Sequence, residues 1–142
     1  MALLDVIEAA GMEDSVYIST DREGVPFLGG GLHMTLRDVA RIGRLLCFDD
    51  ESDPSRRRFV REALDSPKSG TRYADGTYYR NFFETDGHFV GHLGYGGQYL
   101  YVVPEQGVVV AAFNAIEGEL GLDYAFVSRI RSVCAGIARM VG

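Results

Sequence analysis

The sequence predicts an α+β fold, an antiparallel sheet with flanking helices, and three observations lead to that prediction. Apolar residues at helical spacing dominate the first half of the chain, up to about residue 64. β-prone runs joined by short turns follow between residues 78 and 114. A last amphipathic segment ends the chain. Helices first, then strands, then one helix is an order typical of α+β domains.

The first two predicted helices have recognisable ends. Residues 2–10 form a short apolar helix, and Gly11 ends it as a C-terminal glycine cap would. Thr35 and Asp38 form a variant of the capping box, so a second helix is expected over residues 36–47. Its apolar face comprises Val39, Ala40, Gly43, Leu46 and Cys47.

Turns, a short strand and a third helix complete the first half. Residues 17–19 are strand-like, and the glycines at 29–31 interrupt regular structure. The acidic stretch 49–53 is expected to be a loop. Ser55 is expected to cap a helix that ends near Leu64. The buried side of that helix comprises Phe59, Val60 and Ala63.

The second half is predicted to be an antiparallel meander. Residues 78–83 are aromatic and β-prone, and the Asp-Gly pair at 86–87 indicates a turn. Residues 99–103 form a strand, residues 104–107 a turn, and residues 108–114 an apolar run of buried-strand length. Since short turns join these runs, neighbouring strands should pair antiparallel.

The chain closes with a helix predicted to lie on one face of the sheet, from about residue 122 to residue 141. Its apolar residues recur at helical spacing and predict which side is buried. That stripe comprises Leu122, Phe126, Ile130, Val133, Ile137 and Val141.

Length and composition bound the domain organisation. A chain of 142 residues favours one domain, mainly helical over 1–70 and a strand meander plus a C-terminal helix over 71–142. A 46% hydrophobic content excludes global disorder, and the lack of an eighteen-residue apolar run excludes a transmembrane helix. The N-terminus lacks the basic start of a signal peptide, so the chain is expected to be cytoplasmic if it is complete.

Charge and cysteine content exclude further classes. The net charge of −6 disfavours a nucleic-acid binder, which needs a basic field, and the arginines at 56–58 are flanked by acidic residues. Cys47 and Cys134 lie in apolar helical patterns and are expected to be buried thiols. Two cysteines do not make a disulfide scaffold.

Metal and cofactor sites are not expected. His88 and His92 are four residues apart among glycines, and in a strand they would be about 13 Å apart, too far for one metal. His33 is remote in sequence. The glycine-rich segment 94–97 is followed by neither a helix nor a lysine, so a phosphate-binding loop is unsupported.

No serine has a recognisable catalytic base. None lies in a G-x-S-x-G pattern, and the single lysine, Lys68, has Asp65 three residues before it, so the chain holds no S-x-x-K motif. The segment 66–69 has those letters at the wrong spacing. The residues alone allow two interpretations of the glycine-rich segment 91–104. It is either a strand that a substrate approaches closely or a tight hairpin packed under a helix.

Three segments resemble the C-terminal part of the serine β-lactamase and penicillin-binding-protein-like superfamily. They are the Gly-Met-Glu-Asp run at 11–14, the stretch 29–43, which is similar to the family's GGGL-x-x-T-x-R-D-x-A-R-x-G pattern, and the hairpin 92–104 followed by 108–114. The most similar branch comprises class C β-lactamases, related esterases and 6-aminohexanoate-dimer hydrolases. The resemblance implies the C-terminal portion of the β-lactamase/transpeptidase-like fold.

The resemblance also implies a site. His92-Leu93-Gly94 corresponds to the H-x-G form of the family's K-T-G strand, with His92 contacting the substrate or a tyrosine and Gly94 keeping the strand edge open. The backbone N–H of Tyr95 would be an oxyanion-hole donor. The family's S-x-x-K and Y-x-N motifs have no counterpart, and Tyr79-Arg80-Asn81 is interpreted as a chance match.

The implied activity is amide or ester hydrolysis through an acyl-serine, in a bacterial hydrolase without cofactor or metal. A chain without the nucleophile is expected to be inactive alone, a truncated half-enzyme that acts on a small-molecule substrate once an N-terminal half completes it. The alternative is a degenerate, non-catalytic binding module on the same scaffold. Exposed apolar surface would favour self-association, and no nucleic-acid or membrane partner is expected.

Overall fold

The computed structural model of the chain describes residues 3–27, 30–49, 53–65, 72–115 and 124–142. It has the predicted α+β fold, with helices on both faces of an antiparallel sheet. The helices are α1 (Leu3–Ala10), α2 (Leu36–Arg44), α3 (Pro54–Leu64) and α4 (Tyr124–Val141). The strands are β1 (Tyr17–Ile18), β2 (Leu32–His33), β3 (Tyr78–Arg80), β4 (Phe83–Thr85), β5 (Val90–Gly94), β6 (Gln98–Val103) and β7 (Val108–Ala112).

The main sheet is the predicted meander, in the order β3-β4-β5-β6-β7, and β1 and β2 form a separate small sheet. β5 pairs with β6 over its full length, from Val90↔Val102 to Gly94↔Gln98. β4 meets β5 at a single pair, Glu84↔Gly91. The edge of β5 after Gly91 is therefore not covered by β4.

Alternation along β6 divides the core into two clusters, one on each face of the sheet. Tyr99 and Tyr101 point toward α4, whereas Leu100 and Val102 point toward α2 and α3. Cys134 lies in the first cluster and Cys47 in the second, both as free buried thiols, as predicted. Burial raises the pKa of both thiols.

Two helix ends differ from the prediction. α2 ends at Arg44, and residues up to Cys47 continue as a turn. Asp53, not Ser55, caps α3: its carboxylate accepts hydrogen bonds from the backbone N–H groups of Ser55 and Arg56 at 2.7 and 3.0 Å. With Pro54 at the first helical position, the acidic residue just before it is the better cap. Val60 and Ala63 are buried as expected, but Phe59 is exposed.

The predicted stripe of α4 does not face the sheet along its length. The residues buried against the sheet are Val127, Arg131, Cys134 and Ala138. Val133, Ile137 and Val141 of the predicted stripe are 62%, 38% and 69% exposed. Ile130 of the predicted stripe packs against the core, whereas the three exposed residues form an outward apolar stripe. Leu122 lies outside the described residues.

β7 is an edge strand within the described sheet, although the sequence predicts a buried one. It pairs with β6 from Val103↔Val108 to Tyr99↔Ala112 and has no other neighbour among the described strands. Only Val108 is fully buried, and the other residues of the strand are half-buried. The middle of the predicted loop 49–53, the glycine at 29 and the segment 66–69 lie outside the described residues.

Gly43 allows α2 to lie directly on the sheet. A Cβ atom at this position would lie 2.6 Å from Val109 Cγ1 and 3.0 Å from Leu100 Cδ1. The glycine of the T-x-R-D-x-A-R-x-G stretch is thus a packing residue.

We predict that Gly43→Ala lowers the free energy of unfolding. Overpacking of a core contact costs about 1–3 kcal/mol, whereas alanine gains at most about 1 kcal/mol of helix propensity. Gly136→Ala in α4 is the matched control, since its Cβ would meet only Arg139 at 4.0 Å. Urea denaturation should show Gly43→Ala less stable and Gly136→Ala more stable than the wild type. Stabilisation by Gly43→Ala would contradict the close approach.

Asp38 ties the segment after α1 to the start of α2. Its buried carboxylate accepts hydrogen bonds from the backbone N–H groups of Glu13 and Asp14, both at 3.2 Å, and from Arg41 at 2.8 Å. Thr35 caps α2 as predicted, by accepting from the Asp38 N–H at 3.3 Å. The first two segments of the family resemblance therefore meet in one polar cluster.

Replacing Asp38 by Asn should destabilise the fold in a pH-dependent way. Burial opposes ionisation, but the hydrogen bonds from Glu13, Arg41, Thr35 and Asp14 hold the pKa of Asp38 below its usual value. The carboxylate therefore stabilises the fold above the unfolded-state pKa of about 3.9, and this contribution is lost as the pH falls through the lower folded-state pKa.

Thermal melts should show Asp38→Asn at least about 5 °C below the wild type at pH 7. The gap should close in strongly acidic buffer. Asp65→Asn changes an exposed carboxylate of the same chain and should melt with the wild type. A gap that is constant with pH would contradict the proposed ionised role.

Candidate active site

The open edge of β5 borders a pocket. Its volume is about 300 Å³, and it is lined by Tyr73, Tyr79, Glu84, Gly91, His92, Leu93 and Val127. The pocket exists because β4 pairs with β5 only at Gly91 and leaves the following residues uncovered. Two of the three residues of the His-Leu-Gly motif thus line a cavity at an accessible strand edge.

His92 is the one histidine among the described residues that line the pocket. It lies opposite Leu100 in the β5–β6 ladder, it is exposed, and it contributes to the pocket lining. Partial desolvation lowers the pKa of His92, against a small rise from a backbone hydrogen bond at Leu93. A neutral imidazole near pH 7 can donate or accept a hydrogen bond.

Gly94 and Tyr95 mark the end of β5. Gly94 pairs with Gln98, and a Cβ atom on it would lie 3.0 Å from Gln98 Cβ, so the space here is limited. Tyr95 begins the turn to β6, and its ring is exposed. Within the described part of the chain, no group accepts a hydrogen bond from the Tyr95 backbone N–H. That N–H is available to a ligand.

The turn that presents Tyr95 is held from two sides. Asn114 donates a hydrogen bond from Nδ2 to the Gly97 carbonyl at 2.8 Å. Phe126 of α4 packs so closely on Gly97 that a Cβ atom there would lie 2.4 Å from the ring. Gly97 also has φ +82°, so both conformation and packing require glycine. The turn is preorganised rather than free.

A buried ionic network forms the wall behind the pocket. Arg131 of α4 donates hydrogen bonds to Glu84 and to Asp75, and the Tyr99 hydroxyl donates to Glu84 at 2.7 Å. Asp75 also accepts from the Thr77 hydroxyl at 2.7 Å. Burial raises the pKa of Glu84, while the hydrogen bond from Tyr99 opposes that rise. Burial lowers the pKa of Arg131 and raises that of Tyr99.

Sequence reasoning missed two features of the site region. Tyr79, set aside there as part of a chance Y-x-N match, lines the pocket beside His92. Asn81 of the same triplet lies in the β3–β4 turn with φ +50°, and its Nδ2 donates to the Phe59 carbonyl at 3.3 Å. Only the tyrosine of that triplet therefore reaches the pocket.

The second missed feature is a serine–histidine pair. Ser19 Oγ and His33 Nε2 lie 3.1 Å apart beside the small β1–β2 sheet, and both side chains are exposed. No carboxylate of the described residues holds the other ring nitrogen of His33, so the group that would orient a catalytic histidine is missing. Pairing across strands separated by thirteen residues gives no local sequence signal.

The described residues form neither a metal-binding cluster nor a membrane-spanning helix. No group of three or more His, Cys, Asp or Glu side chains in the described ranges could hold a metal ion. His88 lies in the bend before β5 rather than in the strand with His92. None of the helices within those ranges is long and apolar enough to cross a membrane.

Comparison with known proteins identifies the family. The family model described as Beta-lactamase matches residues 6–122, most of the chain and all three segments of the resemblance. The chain belongs to the beta-lactamase family, and its antiparallel sheet with flanking helices is a serine-hydrolase-like scaffold. No curated protein and no solved structure matches the chain.

We predict that Arg131→Met strongly destabilises the protein. The guanidinium is only 8% exposed and neutralises two carboxylates, so its removal leaves Asp75 and Glu84 unpaired. Breaking a buried ion pair by removing one partner costs about 3–5 kcal/mol. Arg129→Met, an exposed arginine of the same helix, should cost less than about 0.5 kcal/mol. Equal unfolding free energies for the two variants would contradict the assigned network.

Proposed function

We propose that this chain is the C-terminal half of a serine hydrolase in the branch of class C β-lactamases, esterases and 6-aminohexanoate-dimer hydrolases. It would cleave an amide or ester through an acyl-serine. The observation that carries the proposal is the Tyr95 N–H, which lacks a described partner at the end of an open strand edge beside a pocket. The chain would be one partial domain, completed by a segment that supplies S-x-x-K and Y-x-N.

The proposed roles follow from the chemistry of acyl transfer. A serine oxygen attacks the substrate carbonyl carbon, and negative charge develops on the carbonyl oxygen. The Tyr95 N–H would donate to that oxygen from a turn held by Asn114 and Phe126, so little reorganisation is needed. His92 would hydrogen-bond the bound substrate, and Gly94, which has no side chain, would keep the strand edge open to the acyl group.

Two surfaces support completion by another segment. β7 has an unpaired edge within the described sheet, and a strand edge readily adds another strand. The outward stripe of α4 exposes Val133, Ile137 and Val141, which a further helix would cover. Without such a segment, the same surfaces would favour self-association.

The second candidate is a non-catalytic binding module on the same scaffold. It is favoured by the described part of the pocket lining, in which there is no serine, threonine, cysteine or lysine. An S-x-x-K and a Y-x-N motif encoded next to this chain, in frame or as a separate product, would favour the hydrolase. Their absence would favour the binding module.

Mixing this chain with an N-terminal half from the same branch should restore hydrolysis of a small chromogenic ester. Burial of the two apolar surfaces can drive association without a covalent link. His92→Ala should then reduce the reconstituted rate by about 10²-fold, the cost of a small misplacement of the acyl group. His88→Ala, an exposed histidine four residues earlier, should leave the rate unchanged.

In the same mixture, a fluorophosphonate probe shows which of the two halves carries the nucleophile. The reconstituted enzyme should be labelled on the added half, and this chain alone should remain unmodified. Labelling of Ser19 in the isolated chain would contradict the assignment of the nucleophile to the other half. Failure of the halves to associate at micromolar concentration, or a rate indifferent to His92→Ala, would reject the proposed function.

A further inference from the structure

The pocket beside β5 has aromatic and aliphatic walls. Tyr73 and Tyr79 contribute aromatic rings, and Leu93 and Val127 contribute aliphatic side chains from β5 and α4. A volume of about 300 Å³ is at the lower end of the range for small-molecule sites, which are about 300–1,000 Å³. Such walls suit one flat or branched hydrocarbon group.

The charges around the pocket are unfavourable for an anion. Among the residues that the structure describes, no lysine or arginine lines it. The cation behind the wall, Arg131, is engaged by both Glu84 and Asp75, so this network of three groups carries one net negative charge. A carboxylate placed in the pocket would meet Glu84 without a compensating cation.

The polar groups of the lining are also largely occupied. The Glu84 carboxylate accepts from Tyr99 and Arg131 and is mostly buried, so it is a poor partner for a ligand ammonium group. His92 can hydrogen-bond a neutral polar group at the open edge of β5. An uncharged ligand with one amide or ester group is therefore the best match in charge and shape.

We infer that this pocket binds the uncharged aromatic or branched-alkyl side of a neutral amide or ester and discriminates against carboxylate-bearing ligands. Its interpretation as a substrate subsite rests on the proposed function, whereas binding itself can be measured on this chain alone. Tyr79 is the specificity-determining residue that can be changed most safely, because it is 57% exposed and contributes one wall.

Three ligands that share a benzyl group and differ in charge test the inference: phenylacetamide, phenylacetate and phenethylammonium. Titrations followed through the His92 ring protons in NMR spectra, assigned with His92→Gln, give a dissociation constant for each. We expect phenylacetamide to bind at least about tenfold more tightly than phenylacetate, because the network repels the carboxylate. The ring signals of His33 and His88 should not move.

Variants of two tyrosines complete the test. Tyr79→Ala should weaken phenylacetamide binding several-fold and Tyr79→Phe should preserve it, whereas Tyr17→Ala, an exposed tyrosine of the small sheet, should have no effect. Phenylacetate binding as tightly as the amide, tighter binding of phenethylammonium, equal shifts at all three histidines, or indifference to Tyr79→Ala would each overturn the inference.

The outcome is separable from that of the complementation experiment. Selective binding of phenylacetamide without restored hydrolysis would reject the hydrolase and keep the pocket assignment. Restored hydrolysis without selective binding would keep the hydrolase and reject the pocket assignment.

Discussion

The structure of the site region depends on Glu84, through both its backbone and its carboxylate. Its backbone makes the single β4–β5 pair, with Gly91, and its side chain joins β6 through Tyr99 and α4 through Arg131. Gly91, the partner of Glu84 in this pair, must be glycine because a Cβ atom would lie 2.5 Å from the Tyr99 hydroxyl. The pairing of β4 with β5 is limited to this residue, and the pocket lies beside it.

Local signals in the sequence predicted the order of the elements well. Element ends are marked by signals within a few residues, namely the Thr35 cap, the glycine after α1 and the Asp-Gly turn. The β-prone runs between short turns predicted the meander. The buried side of α4 was predicted only in part: Ile130 packs against the core, but the last three residues of the stripe are exposed. Arg131 is buried instead, with carboxylate partners more than forty residues away in the sequence. Hydrophobicity alone cannot anticipate a buried charge whose partners come from distant segments.

The candidate site shows the same division. His92, Gly94 and Tyr95 were predicted as site residues from a sequence motif, and their role stays a prediction. The pocket that includes Tyr79 depends instead on the register of β4 against β5. Register depends on tertiary contacts as well as on the strand sequence. The family segments around Asp38 and Gly43 are explained by packing and hydrogen bonding, without reference to catalysis.

The two free thiols have a consequence for how the molecule opens. Cys47 follows α2 and packs against α3, and Cys134 lies on the buried face of α4, with the sheet between their clusters. Because both thiols are buried, a thiol-reactive reagent can modify each of them only when its own helical layer separates from the strands. The protein therefore carries one intrinsic chemical reporter for each layer, and the ratio of their modification rates measures whether the two layers open together or independently.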